Sequence, residues 1–478
     1  MSYANRPLVQ QLVKFLENNP ASLHVPGHKN GALSGLPLDL RLALRYDLTE
    51  LEGLDDLHEP EGVLKDAMER LTGFYGSNRS FFLVNGSTVG NLAMIYATCS
   101  KDDVVIVQRN AHKSIFHAIE LTGATAILIS PPWDSESRTI GTVSASQIRK
   151  AVKEYPETKA VILTYPTYYG VTGKELEEVI VYCHGQDIPV LVDEAHGAHF
   201  VVGEPFPQSA LELGADVVVH SAHKTLPAMT MASFLHVKSK LVSSERVAHY
   251  LGMLQSSSPS YLLMASLDDA RAYAESFNEE DKLNFIKQRK TFILNLKSIP
   301  YLNVIEVDDP LKLLIRAKEY SGFDLQKLFN EEGLYSELAD MEQVLFILPL
   351  LKVDIEFPFE GICTKVRRAF SKLDKSMKVD VLQQSVTIDK EISKLDGSFN
   401  KHRNNEFTWI DFEDAIGEML AYSIIPYPPG IPLILGGERV TKSQLNTLVA
   451  LHKNGAKFQG AIRWNEKQIL VVNREAGE

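Results

Sequence analysis

Two short segments supply the residue types that a carbonyl-bearing cofactor requires. The first is an apolar run that ends in Asp193, and the second is an apolar run followed by Ser221, His223 and Lys224. A buried lysine is costly unless it is paired or neutral, and the neutral amine is the nucleophile that forms a Schiff base with a carbonyl. An aspartate that keeps a pyridine nitrogen protonated is its usual complement in a pyridoxal phosphate site. The two segments therefore predict a cofactor that acts as an electron sink.

A third segment has the features of an anion site. Residues 85–91, Asn-Gly-Ser-Thr-Val-Gly-Asn, lie between a predicted strand and a predicted helix. The free N–H groups and the positive dipole end of that helix would face an anion, and Ser87 and Thr88 add hydroxyl donors. The segment has neither the GxxxxGK[ST] pattern of a nucleotide loop nor the GxSxG pattern of a nucleophile elbow. We expect it to hold a cofactor phosphate, with His112, after the next strand, stacked on the cofactor ring.

These motifs lie where short apolar runs alternate with longer helical stretches, which indicates an α/β fold with a mostly parallel sheet covered by helices. We expect strands at residues 80–84, 104–108, 126–130, 160–164, 189–193, 216–220 and 232–237. We expect helices between them at residues 89–99, 113–122, 144–154, 175–186 and 207–213. The predicted site then lies at the carboxyl ends of strands, where ligands of open α/β sheets collect.

The chain divides into three predicted parts. Residues 1–75 form an N-terminal arm or linker, and residues 76–295 form a large cofactor-binding domain that ends in a long helical stretch from residue 244. Residues 296–478 form a smaller α+β C-terminal domain, which contains the proline-rich loop 427–438.

Composition excludes several classes of function. The 478 residues carry 49 Lys and Arg against 61 Asp and Glu, a net charge of −12, so no basic surface for nucleic acid is expected. The apolar runs are far shorter than the roughly 20 residues of a membrane span. Three scattered cysteines without CxxC spacing predict reduced thiols and a cytoplasmic location.

Taken together, these motifs resemble the Orn/Lys/Arg decarboxylase family, whose members are pyridoxal phosphate enzymes of the aspartate aminotransferase fold (fold type I). The resemblance rests on Ser-Ala-His-Lys at 221–224 combined with Asp-Glu-Ala-His at 193–196. It extends from His-Val-Pro-Gly-His-Lys at 24–29 to the Pro-Pro-Gly-Ile-Pro loop. It implies a large domain with a seven-stranded sheet and a smaller C-terminal domain.

The resemblance also assigns roles. Lys224 would carry the cofactor, Asp193 would meet its pyridine nitrogen and His112 would stack on its ring. His196 would lie beside the cofactor, where some relatives carry Trp. The side chains that would hold the phosphate and the nearby lysine are Ser87, Thr88, Ser221 and His223.

The assembly implied by the resemblance is a homodimer or a dimer of dimers with shared active sites. Residues 255–261 match the place where family members reach into the partner subunit's site, so Ser256 and Ser257 would act in trans. The chain resembles the short form of the family, without an N-terminal wing domain.

The activity implied is α-decarboxylation of a basic amino acid, with arginine favoured over lysine and ornithine. The products would be agmatine, cadaverine or putrescine, after protonation of Cα by His223 or Lys224. The distal cation of the substrate requires carboxylates, and the candidates on flanking loops are Asp55, Asp56, Glu59 and Glu438.

Three other hypotheses compete with decarboxylation. An aminotransferase or lyase of the same fold would need an arginine for the substrate carboxylate, which Arg367 or Arg368 would supply. A metal-dependent hydrolase or oxygenase would use the D-x-x-H-x-x-H spacing of Asp193, His196 and His199, but it leaves the lysine and the anion segment unexplained. A non-catalytic binding protein on a retired enzyme fold would be expected to lack the lysine or the aspartate, and both are present.

Overall fold

The structure is a computed structural model that describes residues 5–373, 390–395 and 406–473. It contains two compact units. The first unit combines Met1–Thr98 with Ile180–Asn278, and the second combines Cys99–Val179 with Glu279–Glu478. The division at residues 75 and 295 stays a prediction, and its outer limits, residues 1 and 478, lie outside the described residues.

The elements are numbered in chain order. The helices are α1 (Pro7–Glu17), α2 (Leu38–Ala43), α3 (Val63–Tyr75), α4 (Gly86–Thr98), α5 (Lys113–Thr122), α6 (Ala145–Glu154), α7 (Leu176–His184), α8 (Ala222–Thr225), α9 (Ser244–Leu254), α10 (Tyr261–Glu275), α11 (Glu279–Lys297), α12 (Gly322–Glu331), α13 (Phe359–Ser371) and α14 (Lys442–Lys453). The strands are β1 (Arg79–Leu83), β2 (Val104–Gln108), β3 (Thr125–Ile129), β4 (Trp133–Asp134), β5 (Thr139–Ile140), β6 (Thr158–Thr164), β7 (Val190–Asp193), β8 (Val217–His220), β9 (Ser233–Val237), β10 (Leu302–Glu306), β11 (Lys312–Ala317), β12 (Leu338–Ala339), β13 (Val344–Ile347), β14 (Ile392–Lys394), β15 (Phe407–Asp411), β16 (Ile424–Pro426), β17 (Phe458–Gly460), β18 (Ile462–Arg463) and β19 (Gln468–Val472).

The sheet of the first unit brings three strand ends to one edge. β7 pairs with β8 in parallel, β8 pairs with β9 antiparallel, and β9 pairs with β1 antiparallel. β1, β7 and β8 therefore run in the same direction. Their carboxyl ends, which carry the anion segment, Asp193 and the Ser221–Lys224 turn, meet at the same edge of the sheet.

Helix α4 packs tightly on this sheet because Gly90 has no side chain. A Cβ at Gly90 would lie 2.7 Å from Leu83 Cδ1 and 2.9 Å from Val219 Cγ1. The rest of the buried face of α4 is mostly apolar, as an inward-facing helix requires. The close approach fixes the start of α4 over the ends of β1 and β8.

The second unit contains the remaining strands of the α/β pattern and two further layers. β2 pairs in parallel with β6 and with β3, and β14 adds antiparallel to β3. A sheet in the order β10, β11, β13, β12 shares a core with side chains of α11, α12 and α13. A separate core joins α14 to the small sheets of β15–β19.

The α/β fold predicted from the sequence is confirmed, and all seven predicted strands form. Three details differ. Strand β14 is an eighth strand, too short for an apolar run to mark it. The long helical stretch from residue 244 is three helices, separated near Gln255 and Ser276. The predicted helix at 207–213 forms turns, because the Ser209 hydroxyl and the Ala210 N–H bind the carboxylate of Glu194 instead of extending a helix.

Two further features bear on the expectations about membrane spans and cysteines. Among the described residues, no helix is long and apolar enough to cross a membrane. Cys99, Cys183 and Cys363 are buried, and none of them forms a disulfide with another. Burial raises the pKa of Cys183 to about 12, with the charge of Asp216 adding to the shift, so this thiol stays protonated.

Candidate active site

Asp193 ends one strand of the first unit, and Lys224 lies in the turn after the parallel neighbour of that strand. Asp193 is the last residue of β7 and pairs with Val219 of β8, and the chain turns through α8 directly after β8. Asp193 is buried with 3% of its surface exposed, and Lys224 is half-buried. Strand pairing therefore brings the two residues, 31 apart in sequence, to the same edge of the sheet.

The Asp193 carboxylate has defined partners. Oδ2 accepts a hydrogen bond from Asn91 Nδ2 at 2.9 Å, and Oδ1 accepts one from the Ala195 N–H at 3.2 Å. Burial raises the pKa of Asp193 above its usual range, while the positive charge of Lys224 and these two hydrogen bonds oppose the rise. A further positive group beside this carboxylate would offset the cost of burying it.

Asn91 is a site residue that has no predicted role in the sequence analysis. It lies on α4, one turn after Ser87, and only 1% of its surface is exposed. A polar side chain at a buried position of an apolar helix requires a hydrogen-bond partner, which is the one signal in the sequence that marks it.

Lys224 contacts His196. Its Nζ lies 2.9 Å from His196 Nε2, so the ammonium donates to that ring nitrogen when the nitrogen carries no proton. His196 is buried at 5% exposure. The position that varies between His and Trp in the resemblance thus holds a base next to the amine.

The anion segment meets the lysine turn through a pair of hydroxyl groups. Ser221 Oγ donates to Ser87 Oγ at 2.8 Å. Thr88 is exposed in the first turn of α4, which contains no acidic residue. The predicted phosphate residues Ser87, Thr88 and Ser221 therefore lie around the start of one helix, whose first N–H groups have no acceptor within the helix.

The His223 side chain is bound to the backbone before β9. Its Nδ1 donates to the carbonyl oxygen of Ala232 at 3.1 Å, and its backbone N–H donates to the same oxygen at 3.2 Å. These bonds fix the ring against the turn before β9. The assignments of phosphate binding and of proton donation to His223 stay predictions.

Ser256 and Ser257 are exposed residues beside the anion segment. Ser256 N–H donates to Asn85 Oδ1 at 3.3 Å, and Ser256 O lies 3.0 Å from His58 Nε2. The preceding residue, Gln255, accepts from the Val84 N–H at 2.8 Å and anchors the loop to the end of β1. Their predicted action in a partner subunit's site stays a prediction.

His112 belongs to the second unit, where it precedes α5. Its Nδ1 accepts from the Ser114 N–H at 3.3 Å and lies 2.8 Å from Ser114 Oγ. A Cβ added to Gly430 would lie 2.9 Å from His112 Nε2, so this glycine leaves room for the ring. The predicted stacking of His112 on a cofactor stays a prediction.

Three of the four carboxylates predicted to bind substrate have structural partners, and Asp56 Oδ1 accepts a single hydrogen bond, from the His58 N–H at 2.7 Å. Asp55 accepts backbone hydrogen bonds from Glu61, Gly62 and Leu64 at 2.8–3.0 Å, which hold the start of α3. Although burial alone would raise it, backbone hydrogen bonds lower the pKa of Asp55.

Glu438 also has a structural partner, in this case an arginine side chain. It forms a bidentate ion pair with Arg109, at 2.9 and 2.8 Å. Asp56 and Glu59 are exposed. Substrate binding by any of the four stays a prediction, and these contacts favour the exposed pair.

The geometry of the described residues does not support the hypothesis of a metal-dependent enzyme. Within residues 5–373, 390–395 and 406–473, no three His, Cys, Asp or Glu side chains are grouped so that they could hold a metal ion. Asp193, His196 and His199 therefore do not form a triad in spite of their spacing.

The residues of the first unit fit pyridoxal phosphate. Thr225, next to Lys224, is buried, and its Oγ1 has no hydrogen-bond partner among the described residues. A buried hydroxyl of this kind calls for an acceptor such as a phosphate oxygen. Asp193 offers a buried carboxylate for a protonated ring nitrogen, and Lys224 offers an amine for a carbonyl.

Comparison with known proteins identifies the class. Residues 6–307 match the model of the Orn/Lys/Arg decarboxylase major domain, and residues 382–462 match the model of the C-terminal domain. The chain therefore belongs to the Orn/Lys/Arg decarboxylase family and is an amino-acid decarboxylase.

Matches to particular relatives cover nearly the whole chain. The chain is 45% identical to the uncharacterized protein YaaO of Bacillus subtilis, over 98% of this chain and 99% of that protein. It is 32% identical to an arginine decarboxylase of the same organism, over 99% of each chain. The solved structure of lysine decarboxylase A from Pseudomonas aeruginosa has the same fold, with a TM-score of 0.80, 19% identity, and coverage of 98% of this chain and 80% of that one.

Proposed function

We propose that this chain is a pyridoxal phosphate-dependent α-decarboxylase of a basic amino acid, with arginine favoured over lysine and ornithine. The observation that carries the proposal is the placement of buried Asp193 and half-buried Lys224 at the carboxyl ends of two neighbouring parallel strands. The preference for arginine is supported by the name of the B. subtilis relative that matches over 99% of each chain.

The chain's own residues divide the work of holding the cofactor. Lys224 binds its carbonyl carbon, and Asp193, held by Asn91, keeps a proton on its ring nitrogen. Ser87, Thr88 and Ser221 hold the phosphate at the start of α4. The chemistry that pyridoxal phosphate supplies when bound is an electron sink for the pair left at Cα when carbon dioxide departs.

His196 accepts a proton from Lys224 and returns it. The amine of Lys224 is a nucleophile only when neutral, and His196 Nε2, at 2.9 Å from Nζ, is placed to accept its proton. The same contact allows the proton to return to Nζ, from where Lys224 delivers it to Cα. His223 is the alternative donor to Cα.

Recognition of the substrate side chain requires a carboxylate that is not already paired. Exposed Glu59, and Asp56 with one backbone hydrogen bond to Oδ1, meet this condition better than Asp55 and Glu438, whose oxygens are engaged in holding α3 and Arg109. A guanidinium would gain more than an ammonium from such a carboxylate, because it can bind two oxygens at once.

The decisive experiment supplies arginine, lysine and ornithine separately to the purified protein, with and without added pyridoxal phosphate. We expect carbon dioxide and agmatine from arginine, dependent on the cofactor. The competing aminotransferase reading predicts a keto acid and no carbon dioxide, and that result would overturn the proposal. Arg367 and Arg368, its candidate clamp, are exposed on α13.

Borohydride reduction tests the cofactor attachment separately. Reduction fixes the Schiff base, and peptide mapping then locates it. We expect the adduct on Lys224 and none in the Lys224→Ala protein. An adduct on another lysine would contradict the site.

Assembly and location are also proposed. The expected assembly is a homodimer or dimer of dimers, with Ser256 and Ser257 contributed to the partner's site. Exposed apolar side chains near the N-terminus support association with a second copy: Leu23 is 96% exposed and Leu33 is 75% exposed. The cytoplasmic location rests on the reduced state expected for the three buried cysteines.

A further inference from the structure

A buried contact between a carboxylate and an imidazole joins the two turns that carry Asp193 and Lys224. Glu194 directly follows Asp193, and His220 ends β8 just before the Ser221–Lys224 turn. Glu194 Oε2 lies 2.7 Å from His220 Nε2, and both side chains are fully buried. Beyond the last paired residues, the backbone adds a hydrogen bond from the Ser221 N–H to the Ala195 oxygen at 3.2 Å.

The Glu194 carboxylate is fixed by further donors. Oε2 accepts from Ser209 Oγ at 2.7 Å, and Oε1 accepts from the Ala210 N–H at 2.9 Å. A buried carboxylate is costly unless it is hydrogen-bonded, and here three donors meet its two oxygens. The side chain therefore has one favourable position.

The His220 ring is also enclosed. Its centroid lies 5.3 Å from the Tyr75 ring and 5.0 Å from the His236 ring. Tyr75 in turn donates to the Ala198 oxygen at 2.7 Å, within the turn that follows Asp193. Burial, together with the charge of His220, lowers the pKa of His236 far below its usual range, so that neighbour stays neutral.

Gly197 makes the room that Glu194 occupies. A Cβ at this position would lie 2.6 Å from Glu194 Cγ and 3.0 Å from Glu194 Oε1. Such contacts force the carboxylate to move. The glycine in Asp-Glu-Ala-His-Gly is thus explained by the glutamate three residues before it.

We infer that Glu194 and His220, with space provided by Gly197, are positioning residues that hold Asp193 and Lys224 at the spacing required by the cofactor. The inference rests on the proposed function, since it assumes that these two residues bind pyridoxal phosphate. Neither Glu194 nor His220 needs to touch the cofactor. Each acts through the peptide chain, because a shift at Glu194 rotates Asp193 and a shift at His220 displaces the lysine turn.

The test compares three variants of the full-length protein: Glu194→Ala, Glu194→Gln and Gly197→Ala. The control is Asp268→Asn, which breaks a fully buried ion pair elsewhere in the same unit, Asp268 with Arg271 at 2.6 Å. Measurements are the dissociation constant of pyridoxal phosphate from the cofactor-free protein, the pH midpoint of the bound cofactor's absorbance, and thermal unfolding.

We expect Glu194→Ala and Gly197→Ala to weaken cofactor binding at least severalfold, to move the absorbance midpoint, and to lower kcat by about 100-fold, since small displacements of reacting groups have effects of this order. Glu194→Gln keeps the shape and most hydrogen bonds, so it should restore binding to near the wild-type level. Asp268→Asn should lower the unfolding temperature without changing binding or the midpoint.

Three results are informative against the inference or its premise. Unchanged binding and midpoint in soluble Gly197→Ala would overturn the positioning role, even if Glu194→Ala failed to fold. Changes in Asp268→Asn equal to those in Gly197→Ala would show a general effect of lost stability and overturn it too. A wild-type protein without a borohydride-fixed adduct on Lys224 would instead contradict the proposed function.

Discussion

At the scale of the residue, Asp193 combines a functional requirement with a cost in stability. Its raised pKa means that the folded protein binds the carboxyl proton more tightly than the unfolded chain. Stability from this group is therefore present below the ordinary value of 3.8 and is lost as pH rises from there through the raised pKa.

This predicts opposite effects of Asp193→Asn on stability and activity. The amide cannot ionise, so the cofactor-free variant should unfold at a higher temperature than wild type at neutral pH, and the difference should shrink as pH falls toward 3.8. The variant should lose on the order of 100-fold in kcat, because it cannot hold the ring proton. Thermal unfolding across pH and steady-state kinetics measure the two effects. A variant less stable than wild type at every pH would refute the argument.

Asp55 provides a second residue-scale prediction. Because its carboxylate holds the backbone at the start of α3, Asp55→Ala should lower the free energy of unfolding by about 1–2 kcal/mol, as loss of a helix cap does. KM for the amino acid should stay unchanged. Glu59→Gln is the matched comparison, with little change in stability and a raised KM. A raised KM in Asp55→Ala at unchanged stability would instead assign Asp55 to the substrate.

Residue types in the sequence were enough to predict that Asp193 and Lys224 lie at one edge of the sheet, because each lies at or just after the end of an apolar run. Their roles toward a cofactor stay predictions. Asn91 and Glu194 were not predictable in their roles. Their partners lie 102 and 26 residues away, and only the strand order and helix placement bring them together. For the same reason, the sequence did not distinguish the loop carboxylates that hold the backbone from those available to a substrate. Asp55 and Asp56 are neighbours in sequence but have different contacts.

At the scale of the element, the distance between α4 and the sheet controls the anion segment. Gly90→Ala would place a methyl group 2.7 Å from Leu83 Cδ1, so we expect a loss of about 1–3 kcal/mol in unfolding free energy and weaker binding of pyridoxal phosphate. Chemical denaturation and cofactor titration measure the two effects.

Gly73→Ala in α3 is the control for this prediction. No atom lies within 4 Å of the added Cβ, so the change should be neutral or stabilise the helix by about 0.5–1 kcal/mol. Equal behaviour of the two variants would show that helix propensity, and not the contact with the strands, decides the outcome.

Elements with a strong pattern of their own were predictable, and elements shaped by distant contacts were not. The buried strands β2, β7 and β8 are continuous apolar runs, and apolar runs of this length identify strands of a sheet covered on both faces. Residues 207–213 have a composition typical of a helix, but the Ser209 hydroxyl and the Ala210 N–H donate hydrogen bonds to Glu194.

At the scale of the whole molecule, the proposal that active sites are shared between subunits makes a prediction about mixed subunits. Lys224→Ala and the double variant Ser256→Ala/Ser257→Ala should each have little activity alone. When the two proteins are unfolded and refolded together, hybrids should regain activity, because one site of each hybrid has an intact lysine and intact partner serines. Steady-state assays of the mixture, with each variant refolded alone as the control, measure the effect. No recovery in hybrids confirmed by mass would place the serines in their own subunit's site or outside it.

The pairing of β1 with β9 has a consequence for synthesis of the chain. β1 ends at Leu83, while its strand partner is Ser233–Val237 and the glutamine that binds Val84 is residue 255. A nascent chain released from the ribosome in order must hold the apolar residues of β1 and α4 unpaired until roughly the first half has been made. Contacts of such long sequence separation form slowly. The first unit therefore passes through a stage that is open to aggregation or to capture by a chaperone, before the site at the ends of β1, β7 and β8 exists.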